Sequence, residues 1–143
     1  MNSITHLIPK IRTFRPFLPA KEFETSLRFH KTIGFDAYQL GDTLAELSLG
    51  THAFLLQGCY VKEWAENTVM HVLVTEVDAW WRHIDSLDLA HRFGVVPPAA
   101  PRVEPWGLTR SIRVRSIGHT VALRGTIEAG RRAALIPLCR QPT

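Results

Sequence analysis

Seven histidines are the most obvious candidates for chemistry in this 143-residue sequence. Two imidazoles meet on one metal when they are spaced His-x-x-x-His on a helix or His-x-His on a strand, and neither spacing occurs here. His71 has the strongest functional case, because a strand over residues 69–75 should point it into the cleft, where it could act as an acid, base or hydrogen-bond donor. Ordinary packing is the competing interpretation. His30, His83 and His91 are expected at helix surfaces or helix ends.

Arg15 and two tryptophans are the other candidates for ligand contact. A guanidinium in a cleft would favour a carboxylate, phosphate or phenolate, although Arg15 could equally be a solvated residue of an edge strand. Trp106 follows a proline-rich stretch and could form a flat apolar wall or simply pack in the core. Trp64 lies in a polar linker over residues 61–68, where a lid or a subunit contact is expected. The sequence has no glycine-rich phosphate loop and no nucleophile elbow.

Composition favours one cytoplasmic domain. The chain is 45% hydrophobic, yet its apolar runs are too short to cross a bilayer, and residues 1–10 do not resemble a secretory signal. Cys59 and Cys139 are expected to be free thiols. The net charge of +4 favours anionic partners, but the densest basic stretch, Arg110, Arg113 and Arg115, alternates with Ile112 and Val114 like a solvated strand face. Nucleic acid is therefore not the expected partner.

Hydrophobic periodicity predicts the same order of elements twice. In the first half we expect a strand over residues 11–19, an amphipathic helix over 21–33 that Gly34 ends, and a hairpin with strands 45–49 and 53–57 around Gly50 and Thr51. In the second half we expect a strand over 69–75, a helix over 77–87, and strands over 108–115 and 119–124.

The repetition predicts an α+β fold. We interpret residues 11–58 and 68–125 as two βαβββ units within a single domain of residues 1–143, with a C-terminal tail over residues 126–143. Neither unit can bury both faces of its sheet alone, so one curved mixed sheet is expected, with helices outside and a cleft inside. The cleft is the default ligand site.

Three segments resemble the glyoxalase/bleomycin-resistance/dioxygenase, or vicinal oxygen chelate, superfamily over roughly residues 11–125. They are residues 18–35 (LPAKEF, then LRFH and IGF), the helix start EVDAW at residues 76–80, and PWG at residues 105–107. The closest resemblance is to the bleomycin-resistance-like branch, and His30 stands where that branch usually has tyrosine. The resemblance implies a ligand groove built between paired units or subunits, and hence a homodimer.

The resemblance also implies where a metal would bind. Metal-dependent members hold a divalent cation with His, Glu or Gln side chains from four strands. The matching positions here are Arg15, Leu55, Val69 and Ala122, with Phe54 as the alternative to Leu55 if the alignment slips by one residue. None of these side chains ligates a cation, so no metal and no other cofactor is expected.

The sequence therefore predicts a metal-independent small-molecule binding or sequestering protein, of the kind associated with antibiotic resistance. Its ligand is expected to be planar and neutral or anionic, because Arg15 and the basic composition disfavour a cationic glycopeptide such as bleomycin. The predicted ligand-binding set is Arg15, Phe17, Leu55, Trp64, His71, Trp106 and Arg110. The alternatives are a lyase, isomerase or dioxygenase with a displaced metal site around His71 and Glu46, and a module that binds nucleic acid or protein through its basic strand face.

Overall fold

A computed structural model describes residues 4–103, 109–115 and 120–126 of the chain. The first half, after a short 3-10 helix at Ile8–Lys10, contains β1 (Phe17–Pro19), α1 (Phe23–Ile33), β2 (Asp36–Gly41), β3 (Leu44–Leu49) and β4 (His52–Gln57). The second half contains α2 (Lys62–Asn67), β5 (Val69–Val74), α3 (Val77–Ser86), α4 (Leu89–Phe93), β6 (Arg102–Val103), β7 (Thr109–Arg115) and β8 (Thr120–Thr126). The α+β class with mixed parallel and antiparallel strands is confirmed.

Hydrogen bonds join the strands within each half. Sheet 1 has the order β1-β4-β3-β2 and sheet 2 the order β5-β8-β7-β6, so the first strand of each half pairs parallel to the last. The ladders of the described residues thus form two four-stranded sheets, where a single sheet was predicted from the repeat. The shared strand order shows that the two halves are built alike.

Two glycines place the turns of the first half. Gly34 ends α1 with a φ of 126°, and the amides of Gly34 and Phe35 both donate to the carbonyl of His30. Gly50 has a φ of 59° in the two-residue turn between β3 and β4. Both backbone conformations are costly for residues with a Cβ atom, which explains why glycine occurs there.

A single hydrophobic core spans both halves. In the first half, Leu47, Phe54 and Leu56 of sheet 1 pack against the buried side of α1, which includes Phe29. The core continues into the second half through the residues Ile84, Leu89, Ile112 and Val114. Each sheet therefore has one face covered by helices and an opposite face, which we call its open face.

Two contacts between helices connect the halves. The rings of Phe29 in α1 and Phe93 in α4 meet edge to face, with centroids 5.3 Å apart. His83 of α3 lies with Nε2 2.6 Å from the carbonyl oxygen of Ile33, at the C-terminal end of α1. Since that carbonyl is among those a helix leaves without an internal partner, the imidazole completes its hydrogen bonding.

Three local expectations differ from the structure. Only residues 17–19 of the predicted strand 11–19 are extended in a ladder, and Pro16, the residue just before them, has no amide to donate. The supposed linker around Trp64 contains the helix α2, and α4 follows α3 where no element was predicted. His30, expected at the helix surface, is completely buried; its Nδ1 lies 2.7 Å from the carbonyl oxygen of Ser26.

Candidate functional site

The open face of sheet 1 presents a row of side chains that runs across all four strands. Phe17 of β1 is paired with Leu55 of β4, Leu55 with Glu46 of β3, and Glu46 with Tyr38 of β2. Directly paired residues project on the same side of a sheet and are close enough to touch a common ligand. The two aromatic ends of the row are accessible, with Phe17 48% and Tyr38 69% exposed.

An ion pair stands beside the middle of this row. Arg15 Nη1 contacts Glu46 Oε2, and the two side chains are 28% and 30% exposed. The segment of Arg15 is held against β4 because the amide of Leu55 donates to the carbonyl of Pro16, at 2.8 Å. Arg15 was predicted as a cation that would favour an anionic ligand, and the structure pairs this cation with the carboxylate of Glu46.

An open groove of about 560 Å³ begins at this ion pair and runs toward the β3–β4 turn. It is lined by Arg12, Thr13, Arg15, Glu46, Ser48, Gly50, Thr51 and Ala53. Arg12 is exposed, and no ion pair joins it to another described residue. With two arginines and one glutamate, the described lining of the groove carries one net positive charge. Its chemistry suits a neutral or singly anionic molecule with hydrogen-bonding groups.

His71 lies on the open face of sheet 2. Its neighbours Met70 and Val72 pack against the core, so alternation places His71 on the other side of the sheet, while its predicted role in a ligand cleft stays a prediction. Ala122 is the residue paired with it in β8, and position 113 follows in β7. Val69 and Leu73, two residues to either side on the same face, are exposed aliphatic side chains.

The remaining predicted ligand contacts are not gathered around one point. Arg110 lies in β7, where its backbone is paired with Gly125 of β8, several positions along the ladder from the Arg113–Ala122 pair next to His71. Trp64 is exposed on α2, which packs near β1. Trp106 lies outside the described residues. The structure therefore brings Arg15, Phe17 and Leu55 together on sheet 1 and leaves His71 on sheet 2.

The four positions implied as metal ligands fall into two pairs. Leu55 lies beside the Arg15 segment in sheet 1, and Ala122 lies one strand away from Val69 and His71 in sheet 2. Within the described parts of the chain, no three His, Cys, Asp or Glu side chains are grouped as a metal would require. Glu46, named as a ligand of a displaced site with His71, belongs to the other sheet and bonds Arg15.

Tyr38 and Arg12 are site residues that sequence reasoning missed. Tyr38 becomes recognisable only when β2 is aligned with β3, because the register pairs it with Glu46. Arg12 lies outside any strand, in a segment that was predicted to be extended. Helical spacing did contain a signal for the burial of His30, since Ser26, His30 and Ile33 share one side of α1.

Comparison with known proteins shows the fold. No protein-family model and no curated sequence matches the chain. Among solved structures, a bleomycin-binding protein complexed with bleomycin aligns over 82% of this chain and 100% of its own, at 17% identity and a TM-score of 0.67. A glyoxalase/bleomycin resistance protein/dioxygenase from Nocardioides aligns over 87% and 90%, with 17% identity and a TM-score of 0.65.

A metal-containing relative of this fold is also similar. The fosfomycin resistance protein FosX from Listeria monocytogenes, complexed with Mn(II) and sulfate, aligns over 82% of this chain and 92% of its own, at 16% identity and a TM-score of 0.59. The chain thus has the glyoxalase/bleomycin-resistance fold, and the resemblance drawn from its motifs is confirmed at that level. At these identities the similarity defines the fold, which hosts both binding proteins and metal enzymes.

No helix in the described part of the chain combines the length and the apolar character needed to span a bilayer.

Proposed function

We propose that this protein binds a small planar molecule, neutral or singly anionic, on the open face of sheet 1 and releases it chemically unchanged. The observation that carries the proposal is the Arg15–Glu46 ion pair, set between accessible aromatic rings at the end of the groove. Phe17 and Tyr38 offer flat apolar contacts, and Leu55 forms the floor between them.

The ion pair offers such a ligand both a hydrogen-bond donor and a hydrogen-bond acceptor. Guanidinium and carboxylate groups that face each other retain outward hydrogen-bonding capacity, Arg15 as a donor and Glu46 as an acceptor. A ligand with an amide or a phenol could bond to both, and Arg12, which also lines the groove, could attract a single negative charge. Bleomycin is cationic, and the described residues that line the groove offer it one carboxylate, Glu46, against two arginines, so it is the less suitable ligand.

The experiment is a survey of ligand binding, followed by titrations of variants in the site and of a control variant that loses the same charge as Arg15→Gln. Thermal-shift measurements with planar carboxylates, phenolates, neutral aromatics and bleomycin should show stabilisation by the first three classes. Titration of the best compound into Arg15→Gln and Tyr38→Ala should show affinity lowered about tenfold, a value typical for loss of a charge-assisted bond or an aromatic contact. Arg82→Gln, which removes a charge from the exposed side of α3, serves as the control. Stabilisation by bleomycin alone would overturn the proposed ligand class.

We also propose a cytoplasmic homodimer. Phe17 and Tyr38 on sheet 1 and Val69 and Leu73 on sheet 2 leave exposed apolar surface on both open faces, which a second copy could cover. Native mass spectrometry of freshly purified protein tests the dimer and any retained ligand in one measurement. A monomeric mass at micromolar concentration would contradict the dimer without affecting the ligand proposal.

A metal-dependent lyase, isomerase or dioxygenase is the second candidate, favoured by the manganese complex of a similar structure and by the position of His71 on an open face. The same mass spectrum discriminates, since an enzyme of this kind should carry stoichiometric Ni, Zn, Mn or Fe. If metal is bound, His71→Ala should abolish it while Arg15→Gln should not. Metal-free protein that still binds a planar ligand would favour the first candidate.

A further inference from the structure

A second groove, of about 420 Å³, lies on the helical side of the molecule where α1 meets α4. Arg28, Lys31 and Thr32 of α1 and Arg92 and Phe93 of α4 line it. Because α1 covers the core face of sheet 1, the groove and the Arg15–Glu46 pair lie on opposite sides of that sheet. We call it the helix groove, and the proposed ligand site on sheet 1 does not involve it.

Three cations, Arg28, Lys31 and Arg92, line the helix groove, and none of them forms an ion pair within the described parts of the chain. Arg28 and Lys31 are three residues apart on α1, which places them side by side on the helix surface. Glu24, one turn before Arg28, forms no ion pair with it among the described residues, and Asp88, at the start of α4, bonds His91 instead. A bound anion would interact favourably with all three charges.

The groove is anchored by contacts that hold its two walls in place. Arg92 donates one hydrogen bond to the carbonyl of Leu87, at 3.4 Å, and its guanidinium lies 5.8 Å from the ring centroid of Phe93. That ring in turn packs on the buried Phe29. A guanidinium has five N–H donors, so Arg92 retains donors for a ligand. Thr32 already donates to the carbonyl of Arg28 and contributes an acceptor only.

We propose that the helix groove binds the phosphate groups of a small phosphorylated molecule. Phosphate oxygens accept several charge-assisted bonds at once, which matches three neighbouring cations better than a single carboxylate does. The groove has the volume of a small-molecule site, and its described lining is short, whereas a nucleic acid needs a longer basic track. Phe93 adds an apolar wall beside the cations.

Calorimetric titration with inorganic pyrophosphate at low ionic strength tests the site. Wild-type protein should bind saturably, and both Arg28→Gln and Lys31→Gln should weaken binding by roughly fivefold, as expected for exposed charge-assisted contacts. Arg82→Gln removes the same charge from α3 and should leave the affinity within about twofold of wild type, the effect of net charge alone. Amide chemical shifts should change in α1 and α4.

Three outcomes would overturn the proposal. The first is the absence of saturable heat at millimolar pyrophosphate. The second is an equal loss in Arg82→Gln, which would indicate a response to net charge alone. The third is binding of a single-stranded oligonucleotide, but not of pyrophosphate, that depends on Arg28 and Lys31. Tyr38→Ala should leave pyrophosphate binding unchanged, because Tyr38 does not line the helix groove. The phosphate proposal and the ligand proposal for sheet 1 can therefore be refuted independently of each other.

Discussion

The two faces of sheet 1 have opposite characters although they share the same strands. Leu18 is 3% exposed on the core face, while Phe17, the residue before it, is 48% exposed on the open face. On β4, Phe54 packs under α1 and Leu55 lies in the row with Phe17 and Glu46. The core face thus supplies stability, and the open face leaves large apolar and charged side chains accessible at the surface.

Of the substitutions considered on either face, truncation of Phe54 should cause the largest loss in the free energy of unfolding. Phe54→Ala removes a ring that contacts both His30 and Phe35 edge to face, so we expect the free energy of unfolding to fall by about 3–5 kcal/mol. Phe17→Ala, the matched change on the open face, should cost about 1 kcal/mol or less. Urea unfolding measures both. Equal losses would show that the open face is structural.

The core face of sheet 1 also packs against a polar residue, His30, which is completely buried. It lies among Phe29, Phe35 and Phe54, and its ring bonds the carbonyl of Ser26. His30→Ala should therefore lower the free energy of unfolding by about 2–4 kcal/mol through cavity formation. His91→Ala is the surface control, since the exposed His91–Asp88 pair should contribute well under about 1 kcal/mol. A small effect of His30→Ala would mean that the core closes around the vacancy.

Ser26 is the one place where the core face should gain from a substitution. Its side chain is buried on α1, and its hydroxyl has no hydrogen-bond partner among the described residues. Ser26→Ala removes an unsatisfied polar group and improves helix propensity, so we expect stabilisation by about 1 kcal/mol. Thermal unfolding shows whether Ser26→Ala raises or lowers the stability, with Thr25→Ala as the partly exposed control. Destabilisation would indicate that the hydroxyl has a partner in solution.

The sequence was sufficient to predict the fold because most of its helices and strands are long enough to show a hydrophobic pattern among neighbouring residues. Alternation over residues 45–49 and 53–57, with Gly50 between them, predicts the hairpin correctly. By contrast, α2 and α4 are too short, at 6 and 5 residues, for helical periodicity to be visible. The ion pair of Arg15 with Glu46 depends on the register of three strands, which no local pattern contains.

The smallest expected effect on stability is that of the ion pair itself. Both side chains of the Arg15–Glu46 pair are partly exposed, so a double-mutant cycle with Arg15→Gln and Glu46→Gln should give a coupling energy below about 1 kcal/mol in unfolding. The coupling energy measured in ligand affinity should be larger, because either single substitution leaves one charge without its partner beside the bound molecule. A coupling in affinity that exceeds the coupling in stability would identify the pair as a binding element. Equal couplings would mean that the open face, like the core face, serves the fold alone.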